Sequence, residues 1–238
     1  MEREAAVQAV FKPVRAPTMF EETVERLGTA IRLGLLLPGS RLPPERELAE
    51  ELQISRSTLR QALTTLEQSG HLTQRRGRSG GTFVAVEPPL TTSGEASLSE
   101  AAWATLDHRV AVEAGAVLLA AERGRAADLE RLDDLVDRMA TAEDFEDYRL
   151  ADIRFHIGIA ETARSPRLVE AMTEVQGQMS GLISIIAHPD QVLTHSNEQH
   201  RRIVAHLRDS EGVKAVALMR DHIEGTEHIL AGLLPKPV

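Results

Sequence analysis

Residues 42–86 read "LPPERELAEELQISRSTLRQALTTLEQSGHLTQRRGRSGGTFVAV". The pattern predicts two short amphipathic helices joined by a tight turn, the second followed by a glycine-rich hairpin, which is the outline of a winged helix-turn-helix. Pro44 and Glu45 suit a first helical turn, where a missing N–H costs nothing and an acid complements the dipole. Leu48, Ala49 and Leu52 form that helix's inner face, and it ends near Gln53. Ser55 or Ser57 can cap the second helix, whose Leu59, Ala62, Leu63 and Leu66 recur at the three-and-four spacing of a buried stripe until Gly70 stops it. Around the rest of its circumference lie Arg56, Ser57, Arg60, Gln61, Thr64 and Gln68, donors suited to phosphates and base edges. Only Glu67 opposes them. His71–Arg76 and Thr82–Val86 then read as two strands around "GRSGG", with Arg75, Arg76 and Arg78 at a tip that would lie along a phosphate backbone.

Working outward, Phe20, Val24, Leu27, Ile31 and Leu35 form one helical stripe over Thr18–Leu36, the supporting first helix of a DNA-binding domain spanning 18–86. Residues 1–17 have no periodicity and read as an N-terminal arm. Residues 87–97, in "EPPLTTSGEAS", have the composition of a linker, and 98–238 a uniformly helical pattern. Helices are expected from Ser97 to about Glu122, then over Ala126–Ala142, Phe145–Ala163, Pro166–Ala187, Thr194–Arg208 and Glu211–Leu234. The fold class is therefore mainly α: an N-terminal winged helix-turn-helix and a C-terminal all-α bundle of about six helices.

Net charge is −9 over 238 residues, but its distribution says more than its sum. Residues 1–86 carry 12 basic and 10 acidic side chains, and residues 87–238 carry 15 and 26. Between 53 and 86 five arginines face one glutamate, so positive charge is confined to the reading helix and wing. No run approaches the roughly 18 apolar residues of a membrane span. The N-terminus lacks a basic stretch followed by an apolar one, so no signal peptide is expected, and the absence of cysteine fits the cytoplasm.

Eight of the nine histidines fall in the helical half. Asp152 and His156, four apart, share a face with Phe145, Tyr148, Phe155, Ile159 and Ala163. His200 lies with Leu193, Ile203, Val204 and Leu207, and His222 with Ala215, Leu218, Met219, Ile229 and Leu233. Ionisable faces turned toward one core need compensation, and a divalent cation held by one carboxylate and three neutral imidazoles supplies it. Zinc suits the set best, with nickel, iron and manganese as alternatives. A salt-bridged Asp152–His156 pair with two satisfied core histidines meets the same pattern. His195 is a candidate outer donor.

The winged stretch resembles the GntR family of bacterial transcription regulators in "LPPERELAEEL", "SRSTLRQAL", "LEQSG" and "GTFV", over about residues 19–86. That resemblance implies that Arg46, Arg56, Thr58, Arg60 and Gly77 contact DNA, assisted by Ser55 and Ser57. Downstream, "DHRVAVEAGAVLLAA", "ADIRFHIGIAETARSPRLVEA", "EQHRRIVAHLRD" and "ALMRDHIEG" are similar to the effector domain of the FadR-type branch, and Ser165 departs from its usual asparagine. This resemblance implies Asp152, His156, His200 and His222 as metal ligands and Arg109 as the fork for a carboxylate effector, although a salt bridge to Glu113 also accounts for Arg109. Together these readings predict a homodimeric repressor of double-stranded operator DNA controlled by a small organic acid, and not an enzyme. A metal-dependent enzyme and a metal-ion sensor built on the same four residues are the rival readings.

Overall fold

The computed structural model describes residues 19–32, 34–77, 80–88, 100–183 and 188–233. The arm at 1–17, most of the linker, the Ser97 cap, Arg78, Ala187 and Leu234 lie outside the described residues. Two compact units emerge. One takes in the described residues up to Pro88 with 188–191 and 225–233; the other takes in 100–183 and 192–224.

The first unit opens with α1 (Met19–Arg32), α2 (Glu45–Leu52) and α3 (Arg56–Gln68), followed by β1 (Leu72–Arg75) and β2 (Gly81–Val84). The strands pair antiparallel, with Leu72 opposite Val84 and Arg75 opposite Gly81, and Arg41 bridges to Phe83 outside them. Each boundary has a local cause. Gln53 adopts φ 55 and closes α2 as the Ile54 N–H donates to the Ala49 carbonyl. Ser55 is the cap of α3, its hydroxyl accepting from the Thr58 N–H at 3.0 Å. After α3, Gly70 at φ 79 lets its N–H reach the Glu67 carbonyl while the His71 N–H reaches that of Leu66, which satisfies the terminal carbonyls and turns the chain into β1. Leu59, Leu63 and Leu66 are wholly buried, and burying each contributes about 1.5–3 kcal/mol. α1 is shorter than its stripe suggested: Gly34 at φ 66 follows its end at Arg32, so Leu36 is buried and Leu35 only half-buried.

The last turns of the final helix, from Gly225, belong to this unit and lie against α1. Arg32 donates to the Ala231 and Gly232 carbonyls, a cation placed where a helix ends in unpaired acceptors. His228 pairs with Glu25. Neither Gly28 nor Gly232 has room for a side chain; a Cβ on Gly28 would stand 2.4 Å from the Gly232 oxygen.

The second unit is built from α4 (Glu100–Arg123), α5 (Ala126–Ala140), α6 (Phe145–Thr162), α7 (Pro166–Ile183), most of α8 (Asp190–Arg208) and the first part of α9 (Gly212–Leu233). The six expected helices are present. α8 begins four residues earlier than expected, at Asp190, which supplies an acid to its first turn. Asp144 caps α6 by accepting from the Asp147 N–H at 2.9 Å, and Pro166 opens α7 where no donor is needed. α6 packs on α4, α5 and α7, so its inward face, carrying Asp152, Phe155, His156 and Ile159, is central to this unit. Among the described residues no helix is long and apolar enough to cross a membrane.

Gly28→Ala is expected to destabilise the chain by about 1–3 kcal/mol through overpacking of backbone against backbone. A thermal melt should show it as a fall of about 2–4 °C per kcal/mol, and an unchanged Tm would refute the close approach of α1 and α9.

Candidate metal centre and nucleic-acid interface

The three predicted histidines meet. His156 comes from α6, His200 from α8 and His222 from α9; all are buried, and a nitrogen of each lies within 4.8 Å of the others. His200 Nε2 stands 3.3 Å from His222 Nε2. Asp152 Oδ1 lies 3.6 Å from His200 Nε2 and 3.7 Å from His156 Nε2. Atoms about 2.1 Å from a shared centre stand roughly 3.0–3.4 Å apart, so these three separations are within a few tenths of an ångström of the spacing a bound cation requires. Donor chemistry fits as well, since neutral imidazole and carboxylate suit zinc and its first-row neighbours.

His222 Nδ1 is 3.0 Å from Gln199 Oε1, an acceptor that keeps the proton there and leaves Nε2 with its lone pair. Burial, followed by the charges of neighbouring His200 and Arg109, holds His222 well below its ordinary value. Burial likewise lowers His200 to about 3, with Asp152 opposing. Burial pushes Asp152 up, yet Arg149, His156 and His200 more than offset this and leave it below its ordinary value. His200 and His222 are thus set as neutral imidazoles beside an ionised carboxylate, the forms that bind metal.

Arg109 belongs to the same cluster. It is buried on α4, with Nε 2.8 Å from Glu113 Oε1 and Nη2 3.1 Å from His222 Nε2, while Nη1 has no hydrogen-bond partner. The expected pair with Glu113 exists, and the guanidinium also reaches His222. Three participants escaped the sequence reading, Arg149, Gln176 and Gln199, and Glu113 entered it only as the partner of Arg109. Glu113 is fully buried; burial raises its carboxyl, and Arg109 and His156 bring it down to about 2. Arg149 donates to Asp152 Oδ2 and to the Gln176 carbonyl, Gln176 Oε1 and Ser180 Oγ. Gln176 donates to Glu113 Oε1 at 3.1 Å, and Gln199 holds His222. The available signal was helical spacing, Gln176 four residues after Met172 and Gln199 four before Ile203, which puts each amide on an apolar stripe.

In the winged unit Arg46, Ser55, Arg56, Ser57, Arg60 and Gly77 are exposed, and Thr58 is half-buried. The hydroxyls of Ser55, Ser57 and Thr58 form one cluster, with Ser55 Oγ 2.7 Å from Ser57 Oγ and 2.8 Å from Thr58 Oγ1. Ser55 is committed to the cap, which leaves Ser57 the better placed of the two serines to donate outward. Arg60 pairs with Glu45 at 2.9 Å, but its side chain is 61% exposed, and such a pair contributes at most about 1 kcal/mol. A phosphate could displace it. Glu67, the lone acid of this face, accepts from the Gln74 N–H. Arg75 stacks over Phe83 with its guanidinium 4.6 Å from the ring centre, which fixes one cation at the base of the wing. Gly77 stands at φ 104, a region that favours glycine.

Comparison with known proteins places two family models on the chain. The model for bacterial regulatory proteins of the gntR family matches residues 20–84, and that for the FCD domain matches 104–225. The chain is 43% identical over 159 residues to RmpR of Mycobacterium gastri, an alignment covering 64% of this chain and 58% of that protein. It is 30% identical over 223 residues to the HTH-type transcriptional regulator LutR of Bacillus subtilis, covering 87% of this chain and 99% of LutR. The Uxu operon transcriptional regulator of Escherichia coli is 27% identical, with 91% and 90% covered. Among solved structures, E. coli McbR/YncC superposes with a TM-score of 0.51 at 21% identity, covering 89% of this chain and 96% of that one, a likeness of fold.

His200 is charged in the unfolded chain below its ordinary value of 6.5 and stays neutral in the fold down to about 3. Its folded value is the lower one, so stability is complete above 6.5 and falls as pH drops from there toward 3. In chelator, Tm should decline over that interval, and His200→Gln should flatten the decline; equal slopes would contradict a buried neutral imidazole.

Proposed function

We propose that this chain, which belongs to the GntR family of bacterial regulatory proteins and carries an FCD domain, represses transcription from an operator it releases or grips according to a small organic acid bound beside a divalent cation. Its domains and full-length relatives make it a transcriptional regulator and not an enzyme. The observation that carries the proposal is the convergence of three imidazole nitrogens with Arg109, one of whose nitrogens is buried without a hydrogen bond.

In this reading Asp152, His156, His200 and His222 hold the cation, zinc first among the candidates. When bound, the cation supplies a Lewis-acid anchor for a carboxylate oxygen. Arg109 supplies the directional half of the site, a fork that pairs with a carboxylate bidentately. Two chains bind as a homodimer, each placing α3 in a major groove of one operator half-site, about 34 Å from the other. Arg46, Arg56, Ser57, Thr58 and Arg60 contact the duplex from the two helices, Ser55 holds the start of α3, and Gly77 lets the wing backbone approach the phosphates. An effector acts only through a difference in affinity between the operator-competent and incompetent arrangements, and about 1–3 kcal/mol of coupling is enough for a switch.

Arg56→Ala and Arg46→Ala should each weaken operator binding in a gel-shift by about 5–150-fold, the equivalent of 1–3 kcal/mol, with circular dichroism unchanged. Wild-type affinity in both would remove the DNA assignment. His200→Ala should lower metal per protomer by mass spectrometry and abolish the rise in Tm that added zinc produces, about 2.7 kcal/mol of stability at a hundredfold excess over Kd. Equal metal in wild type and variant would eliminate the site.

A further inference from the structure

We propose that Glu113 is the positioning residue of this site, selecting the His156 tautomer that leaves Nε2 able to bind a cation while its second oxygen anchors Arg109. The inference rests on the metal reading above and assigns a role to a residue outside the four ligands.

Glu113 lies on α4, one helical turn from Arg109, with its carboxylate completely buried. Its two oxygens have different duties. Oε1 accepts from Arg109 Nε at 2.8 Å and from Gln176 Nε2 at 3.1 Å, so its direction is set from two helices. Oε2 has no hydrogen bond, and neither has His156 Nδ1, yet the two atoms are 2.9 Å apart. Two buried polar atoms at that distance, one an acceptor and one on a ring that can donate, are each other's natural partner, and a small rotation of the imidazole aligns them. An ionised carboxylate can only accept, so Nδ1 must carry the proton. The lone pair then sits on Nε2, which is the atom 3.7 Å from Asp152 Oδ1.

His200 differs, since its Nδ1 has no hydrogen-bond partner. At His222 the acceptor is an amide, Gln199, which can present either end. Among the three rings, only His156 has its Nδ1 beside a group incapable of donating. A carboxylate kept merely to balance Arg109 would not dictate a tautomer, and this separates the two roles.

The test uses the full chain with Glu113→Gln. The amide oxygen of the variant remains with its two donors, Arg109 and Gln176, which turns the NH2 toward His156. Nδ1 must then accept, and the proton moves to Nε2. Long-range nitrogen–proton correlation spectra of the chelator-treated protein should show His156 protonated on Nδ1 in wild type and on Nε2 in the variant. Titration with Co2+ alone, followed by its visible absorption, should show affinity lowered about 10–100-fold and an altered band. Glu113→Asp, shorter but still acceptor-only, should keep the wild-type tautomer, and it serves in the spectra should the glutamine variant fail to fold. Wild-type His156 protonated on Nε2, a tautomer lost in Glu113→Asp, or Co2+ affinity within twofold of wild type in Glu113→Gln would each overturn the proposal. Absence of Co2+ binding by wild type would defeat the metal reading instead, and the tautomer spectra would still decide the pairing of Glu113 with His156.

Discussion

A bundle interior that encloses Arg109, Glu113, Arg149, Asp152 and three imidazoles is constrained first by the cost of removing charge from water, which amounts to several kcal/mol per uncompensated ion. That cost is offset only where every charge meets its counterpart at short range, and the second unit is arranged to achieve it. α4 brings Arg109 and Glu113, α6 brings Arg149, Asp152 and His156, α7 brings Gln176 and Ser180, and α8 and α9 bring Gln199, His200 and His222. Arg149 joins Asp152 to Gln176, Gln176 joins Glu113, and Glu113 joins Arg109. A displaced helix would strand an ion rather than lose a few contacts, so the polar cluster specifies the helix arrangement as much as the surrounding Phe155, Ile159 and Met172 do.

The winged unit obeys the opposite rule. Its core is formed mainly by Leu27, Ile31, Leu48, Leu52, Leu59, Leu63 and Leu66, and the cations of the reading helix and wing remain in solvent. Exposed guanidiniums contribute almost nothing to folding, which leaves their binding energy available for phosphates and base edges. The few side-chain contacts on this face serve to hold shape: Ser55 caps α3, and Phe83 carries Arg75. Buried, mutually satisfied charge thus organises the helical unit, and solvent-exposed charge is left on the reading face of the winged one.

Much of this was legible in the residues because it depends on local rules. Ser55 before a leucine stripe, Gly70 after it and Pro166 ahead of α7 determine element ends through neighbours within four positions, and those ends appear where the pattern put them. Inward-facing Asp152, His156, His200 and His222 were visible for a similar reason, since a polar side chain on an apolar stripe is anomalous at any distance from its partners. Where local signals were ambiguous the reading drifted: the stripe through Leu35 concealed the end of α1 at Arg32, and "HPD" concealed the start of α8 at Asp190.

What the chain determined alone was therefore which residues form each element and which of them turn inward, because periodicity and capping act over one or two turns. Tertiary structure alone decided who meets whom. Glu113 lies 43 positions before His156 and 63 before Gln176, and no spacing along one helix foretells that its second oxygen faces an imidazole from another. Arg32 reaching carbonyls 199 and 200 residues away is decided in the same manner. Burial removes water as the partner of a charge, and only the packed arrangement determines which side chain takes its place.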